Sequence, residues 1–150
     1  MRSEIEQLLD VAVRKELEAE AIYRSAQAGF SDPVSQSLLQ ALAEEEAGHV
    51  IKVRELAQKN GEGKYWDEDK LRALRASDLV KDDMPIDKHS KLQDMLRYAI
   101  QREKNSVQLY TKIKQALKDK NAQNLCEELL QEELGHEIKL RNMYHDLFYG

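Results

Sequence analysis

The chain has 150 residues and a formal net charge of −5, with 28 acidic against 23 basic residues. This length fits one domain, and 34% charged against 41% hydrophobic residues is a globular composition that excludes disordered and collagen-like chains. The basic residues are interleaved with acids, which excludes the clustered positive charge of a nucleic-acid-binding surface.

Helical spacing dominates the chain. Six glycines and two prolines are few, so long helices are favoured over a many-stranded sheet. Turn signals occur at GFSDP (29–33), NGEG (60–63), Met84-Pro85 and DKN (119–121). Between them, apolar residues recur at a spacing that predicts four helices over about 3–28, 34–59, 89–118 and 122–148. The predicted apolar face of the fourth helix comprises Leu125, Leu129, Leu140, Met143 and Leu147.

Loop lengths predict how these helices connect. The loops near 29–33 and 119–121 are short, so the first and second helices, and the third and fourth, form antiparallel hairpins. The connection over about 60–88 is long enough to cross the bundle, and a short helix is expected in it near 67–76. Two hairpins joined by one long crossover make an all-α, ferritin-like four-helix bundle, with residues 1–150 as a single domain.

The two halves of the chain repeat each other at an offset of 87 residues. The segment EEEAGHVIKVREL (44–56) resembles QEELGHEIKLRNM (131–143). The matching pairs are Glu16 and Glu103, Tyr23 and Tyr110, Glu46 and Glu133, and His49 and His136. Because a helical hairpin is duplicated, a site formed between the halves is expected to be two-fold symmetric.

Six polar residues interrupt the apolar faces of the predicted helices. Within a helix, residues three apart share one face, so each Glu-x-x-His motif presents a carboxylate and an imidazole together. Four buried carboxylates without partners are costly, and two divalent cations balance their charge of −4. This pattern predicts a di-metal site, with solvated helix positions as the alternative. The six residues are Glu16, Glu46, His49, Glu103, Glu133 and His136.

These motifs resemble the rubrerythrin-like branch of the ferritin-like di-iron carboxylate superfamily over nearly the whole chain. The resemblance implies that two glutamates bridge two iron ions, that two more are terminal ligands, and that each histidine binds one ion. Manganese or zinc also suits carboxylate and imidazole ligands. The implied bridging pair is Glu46 and Glu133, the terminal pair is Glu16 and Glu103, and the histidines are His49 and His136.

The resemblance also implies a set of residues that support the ligands. Tyr23 and Tyr110 are expected to donate hydrogen bonds to ligand carboxylates, with plain core packing as the alternative. Glu45 and Glu132 precede the implied bridging glutamates and can accept the free N–H of the histidine on the opposite helix. A solvent-facing flank is the equal alternative for these two. Glu20 is a weaker candidate ligand because its counterpart in the second half is Val107.

The family resemblance implies an oxidoreductase that reduces hydrogen peroxide or O2. The single cysteine excludes a rubredoxin domain, so electrons must come from an external donor such as a rubredoxin-type protein. Typical members carry an extra glutamate where this chain has Ser106, which favours a symmetric site of six ligands. An iron-oxidising or iron-binding protein, and a metal-free structural relic, are the alternatives. A homodimer is a further expectation from the resemblance, although the sequence itself shows no interface.

Several absences predict the compartment. No apolar run approaches the roughly 18 residues of a membrane span. The N-terminal residues MRSEIEQLLD become acidic and amphipathic at once, unlike a signal peptide. Cys126 can form neither an internal disulfide nor a CxxC pair. We therefore expect a cytoplasmic protein that contacts neither membranes nor nucleic acids.

Overall fold

The structure, a computed structural model, describes residues 4–59 and 92–149. These residues form four helices: α1 (Glu4–Gly29), α2 (Pro33–Lys59), α3 (Leu92–Ala116) and α4 (Lys120–Phe148). Both ends of α1, α2 and α4, and the last residue of α3, lie within two residues of their predicted positions. The predicted crossover with its short helix, and the predicted start of the third helix at residue 89, lie outside the described residues.

The two short loops are built alike, so the repeat includes the turns. The side chain of Asp32 accepts a hydrogen bond from the backbone N–H of Ser35 at 2.9 Å, which caps α2. Asp119 accepts one from Ala122 at 2.9 Å and caps α4 in the same way. Both pairs differ by 87 residues. Because Asp119 is the cap, α4 begins at Lys120, and the turn predicted over 119–121 lies two residues earlier, over 117–119.

The four helices pack into a bundle. Contacts are most extensive within the hairpins α1–α2 and α3–α4, fewer between α1 and α3, and fewer still between α2 and α4. Because the loops are short, the two helices of each hairpin pack against each other, as the sequence predicts. None of the helices in the described part of the chain is long and apolar enough to cross a membrane.

Two hydrophobic clusters form the core and lie at different levels along the bundle. One contains Leu9, Leu129 and Val53, and the other contains their repeat counterparts Leu96, Leu42 and Leu140. Residues of one cluster therefore have their repeat counterparts in the other cluster, as expected for a two-fold axis that crosses the bundle between the clusters. In every helix, the predicted ligand positions fall between the residues of the two clusters.

The predicted apolar face of α4 is wrong at its last residue. Leu147 is 41% exposed, whereas Met143, one turn earlier, is buried. Beyond Met143 the helix passes the first turn of α2, and Leu147 borders an open surface pocket together with Val34. The apolar periodicity of α4 continues to the end of the helix, but the neighbouring helices do not extend far enough to cover Leu147.

Candidate metal centre

A buried layer of charged side chains separates the two hydrophobic clusters. Each member has at most 2% of its surface exposed. Each of the four helices contributes to the layer, because the repeat gives α1 and α3 one glutamate each and gives α2 and α4 one Glu-x-x-His motif each. The layer consists of Glu16, Glu46, His49, Glu103, Glu133 and His136.

Half of this layer surrounds the imidazole of His49. Its Nδ1 lies 2.6 Å from Oε1 of Glu133 and 3.3 Å from Oε2 of Glu16. The same nitrogen lies 3.6 Å from Oε2 of Glu46, three residues earlier on α2. One ligand atom from each of these four residues lies within 4.8 Å of the others, which is a spacing that a single metal ion can bridge.

The other half surrounds His136 in the same manner. Its Nδ1 lies 2.8 Å from Oε1 of Glu46 and 3.6 Å from Oε1 of Glu103. Glu133 completes this second group of four, whose ligand atoms also lie within 4.8 Å of one another. Glu46 and Glu133 belong to both groups, whereas each remaining residue belongs to one. The layer thus contains two potential ion positions that share two carboxylates.

The outer nitrogens of both histidines contact carboxylates on the opposite helix. His49 Nε2 pairs with Glu132, and His136 Nε2 pairs with Glu45. The two rings stack with centroids 5.7 Å apart and planes 12° apart. Because residue numbers rise on α2 as they fall on α4 across these contacts, the two helices are antiparallel. Each carboxylate orients the imidazole so that Nδ1 faces the buried layer.

Two buried tyrosines cross between the halves. Tyr23 on α1 donates its hydroxyl hydrogen bond to Glu103 on α3. Tyr110 on α3 donates to Oε1 of Glu16 on α1 at 2.5 Å. Burial, followed by the charge of the neighbouring carboxylates, raises the pKa of both tyrosines well above its ordinary value. Both hydroxyls therefore remain protonated and available as donors.

The shared carboxylates favour their protonated forms in the isolated chain. Burial, and then the charges of Glu16 and Glu103, raise the pKa of Glu46 and of Glu133 well above the ordinary value for glutamate. Burial acts on Glu103 in the same direction. For Glu103, however, contacts with Glu133 and His136 outweigh burial and hold the pKa below its ordinary value. The layer thus concentrates more negative charge than it can neutralise by itself.

The histidines respond to the same charges. Burial alone would lower the pKa of His136, but contacts with Glu103 and Glu133 outweigh it and raise the pKa to about 9. Burial would also lower the pKa of His49, but contacts with Glu133 and Glu16 outweigh burial and raise the pKa above its ordinary value. In the chain without metal, protons on the histidines and on the shared glutamates therefore offset negative charge that metal cations would otherwise offset.

The surroundings of two buried carboxylate oxygens indicate whether the layer suits metal ions. Oε2 of Glu46 and Oε2 of Glu103 are buried and have no hydrogen-bond partner among the residues that the structure describes. A buried acceptor without a partner is costly unless something else binds it. Carboxylate oxygens and imidazole nitrogens are ligands for iron, manganese and zinc. The donor set therefore fits a pair of divalent cations.

Other candidates from the sequence lie outside the layer. Glu20 pairs with Arg24 at 2.9 Å on the surface of α1, and it belongs to neither group of potential ligands. Cys126 is fully buried in one hydrophobic cluster, where burial raises the pKa of its thiol to about 12. Cys126 is therefore a core residue.

Sequence reasoning missed Arg102, which is only 3% exposed although it neighbours Glu103. Its guanidinium pairs with Glu18 at 2.8 Å and donates to the backbone carbonyl of Lys15 at 2.9 Å. These contacts tie α3 to α1 beside the layer. The repeat offered no signal for this role, because the counterpart of Arg102 is Lys15 in a chain rich in surface charge.

Comparisons with known proteins agree with this geometry. Residues 7–144 match the rubrerythrin family. A structure described as a ferritin-like diiron-carboxylate protein from Thermotoga maritima superposes with a TM-score of 0.76 at 25% identity, covering 95% of each chain. A hypothetical protein from Pyrococcus furiosus shares the fold with a TM-score of 0.74 at 23% identity, covering 94% of this chain and 88% of that one. No curated protein matches the chain significantly.

Proposed function

The chain belongs to the rubrerythrin family, and from that premise we propose that it binds two iron ions and reduces hydrogen peroxide or O2 with electrons from an external donor. The observation that carries this proposal is the pair of four-residue groups that share Glu46 and Glu133. A site for a single ion does not need shared carboxylates, whereas two neighbouring ions do. The similarity to a ferritin-like diiron-carboxylate protein supports iron as the metal.

Each layer residue has a distinct proposed role. Glu46 and Glu133 bridge the ions because they belong to both groups. Glu16 is a terminal ligand of one ion, and Glu103 of the other. The two histidines bind through Nδ1, the nitrogen that faces the carboxylates in each group.

The supporting residues hold these ligands in place before any ion binds. Glu45 and Glu132 accept the Nε2–H of the opposite histidine, so that its Nδ1 faces the layer and can bind an ion once it has lost its proton. Tyr23 and Tyr110 occupy one oxygen of each terminal carboxylate and leave the other oxygen for a metal. The site is thereby preorganised, which lowers the ordering cost of binding.

The proposed reaction needs two electrons. When bound, a pair of ferrous ions supplies these electrons, and hydrogen peroxide with two protons becomes two molecules of water. The chain must then be reduced again from outside, because its one cysteine is buried in the core and cannot serve as an electron-transfer site. A small rubredoxin-type iron protein is the proposed donor.

Anaerobic iron loading followed by metal analysis tests the binding step. We expect two irons per chain, and we expect the Glu44→Gln variant, altered at an exposed carboxylate two residues from Glu46, to bind the same number. A protein that binds no iron under these conditions would be the metal-free relic of the family, and the proposal would fail.

Stoichiometric oxidation tests the reaction. The loaded protein is mixed with one equivalent of hydrogen peroxide or, separately, with O2, and the rise of the ferric absorption is followed. We expect faster oxidation by peroxide, with a soluble product. Faster oxidation by O2 with growth of a ferric mineral would instead identify an iron-oxidising protein.

A further inference from the structure

One buried guanidinium joins the two helices that carry the proposed terminal ligands. Arg102 on α3 donates a hydrogen bond to the backbone carbonyl of Lys15 on α1 at 2.9 Å, and it pairs with the carboxylate of Glu18 at 2.8 Å. Along the chain, Arg102 directly precedes Glu103, and Lys15 directly precedes Glu16. The link between the helices therefore lies one residue away from each proposed terminal ligand.

The two ends of this link occupy equivalent positions in the repeat, because Lys15 and Arg102 differ by 87 residues. The midpoint between two positions that a two-fold axis relates lies on that axis. The two proposed ion positions are related in the same way, since the repeat exchanges their groups of ligands. The link between Lys15 and Arg102 therefore runs close to the two-fold axis, at about the same distance from both ion positions.

Fewer contacts hold α1 against α3 than hold each hairpin together. The tyrosine bonds that also cross between these helices end on Glu16 and Glu103, whose side chains can rotate. Arg102 instead donates to the main chain, so it fixes the backbone of α1 relative to α3. Because the terminal carboxylates project from these two backbones, their separation depends on this bond.

Stability alone does not explain why an arginine occupies this buried position. Only 3% of the surface of Arg102 is exposed, and removing a charge from water is costly even when the charge is paired. An apolar side chain of similar volume is often neutral or stabilising at such a position. What an apolar side chain cannot provide is a directed bond to one acceptor. The buried guanidinium therefore has a use where the distance between the helices matters.

Net charge does not decide the effect of Arg102 on the layer. A lone cation would repel metal ions bound nearby. The carboxylate of Glu18, however, pairs with the guanidinium and leaves the two groups together without net charge. Tyr98 supports the guanidinium from its own helix, with the guanidinium carbon 5.7 Å from the centre of its ring. Position rather than charge is therefore what Arg102 contributes.

We propose that Arg102 is a positioning residue for the candidate metal centre, which sets the separation of Glu16 and Glu103 and thereby the affinity of both ion positions. This inference rests on the proposed function, because it requires two bound ions. One arginine acts on both positions, since its link to α1 lies close to the two-fold axis. No matching arginine is needed at Lys15, which contributes its backbone carbonyl to the link.

Titration of the metal-free protein with cobalt(II), in competition with a chelator of known affinity, tests this role. Arg102→Met replaces the guanidinium with an unbranched apolar side chain, so circular dichroism should show a folded helical protein. We expect two cobalt ions per chain in both proteins, with the affinity for each ion lowered by about 10-fold in Arg102→Met. The matched control is Ile113→Val, which shortens a buried side chain of α3 outside the layer and should keep both affinities.

The absorption spectrum of the bound cobalt adds a readout that a loss of stability would not change. Its ligand-field bands depend on how the ligands are arranged, so they should shift in Arg102→Met and keep their parental wavelengths in Ile113→Val. Arg102→Lys keeps a donor but loses the planar fork, and it should recover part of the affinity. Parental affinities and spectrum in a folded Arg102→Met, or an effect on one ion alone, would overturn the inference.

Failure of the proposed function gives a different result. An unaltered chain that binds no metal ion refutes the di-metal centre and this inference with it. An unaltered chain that binds two ions, with the same affinities as Arg102→Met, refutes the role of Arg102 alone.

Discussion

The two halves of the chain agree at the buried layer and differ around it. Every layer contact has a counterpart: the tyrosine–glutamate bonds cross between α1 and α3, and the histidine–glutamate contacts cross between α2 and α4. Outside the layer, Arg102 is buried where the first half has Lys15, and Cys126 stands where the first half has Leu39. Contacts within the buried layer thus follow the two-fold symmetry, whereas contacts outside the layer do not have to.

The difference teaches which interactions the site requires. A residue that binds a proposed ion, or that holds such a ligand in place, must match its counterpart, because each of the two proposed ion positions needs the same set of ligands. Arg102 joins α3 to α1 outside the layer, where no ion requires a matching residue. Substitutions at layer positions should therefore have equal effects in both halves, and substitutions elsewhere should have unequal effects.

The largest expected effect comes from removing a shared carboxylate. Glu46→Ala and Glu133→Ala should each abolish tight binding of both ions, because each residue belongs to both groups. The metal-free variants should melt at a higher temperature than the metal-free parent, since a buried acid without a full set of partners is removed. Metal analysis and calorimetry measure the two effects. Two ions retained in either variant would refute the bridging role.

A smaller and equal effect is expected from the outer carboxylates. Glu45→Gln and Glu132→Gln should each weaken metal binding by about 10–100-fold, because the charged acceptor that orients the histidine becomes a neutral amide. Competition with a chelator of known affinity measures the change. The exposed carboxylate of Glu44 provides the control variant, Glu44→Gln. Unequal losses, or none, would show that the contacts with histidine are incidental.

The packing around the layer should respond unequally. Arg102→Ala should lower the free energy of unfolding by about 1–3 kcal/mol, because the Lys15 carbonyl loses a buried donor and Glu18 loses its partner. Lys104→Ala, which removes an exposed lysine two residues further along α3, should stay within about 0.5 kcal/mol. Urea denaturation of both variants checks this difference. Equal destabilisation would mean that the contacts of Arg102 do not stabilise the packing of α3 on α1.

An effect that appears only above pH 9 is a pH dependence confined to the second half. Burial raises the pKa of Cys126 from 9.0 to about 12, so above pH 9 the unfolded thiol ionises while the folded one keeps its proton. Stability from this group is full below pH 9 and falls as the pH rises from 9 to 12. The difference in unfolding free energy between the parent and Cys126→Ala should shrink over that interval. A constant difference would contradict the buried, protonated thiol.

Much of the site could be predicted from the sequence because helices have a fixed period. Once Glu46 and His49 fall on an apolar face, the helix period places both in the core beside each other. The offset of 87 residues then relates the second motif to the first, and the loop caps at Asp32 and Asp119 follow the same offset. These are local properties, and the structure agrees with them for the described helices.

Contacts between helices could be predicted less fully from the sequence. The sequence predicted that the tyrosines bind ligand carboxylates, but it did not specify that Tyr23 reaches Glu103 and Tyr110 reaches Glu16. For Glu45 and Glu132 it left solvent exposure as an equal alternative, and the structure brings both to a histidine. The relative axial position of neighbouring helices decides such contacts, and no single helix encodes it.

The sequence by itself determined the all-α class, the two hairpins and the six residues of the layer, because periodicity and an internal repeat are carried by the order of residues alone. Only the tertiary structure decided that Nδ1 rather than Nε2 of both histidines faces the layer, that Arg102 is buried and that Leu147 is exposed. Side-chain orientation and coverage depend on what the neighbouring helices leave open, and that is a property of the assembled bundle.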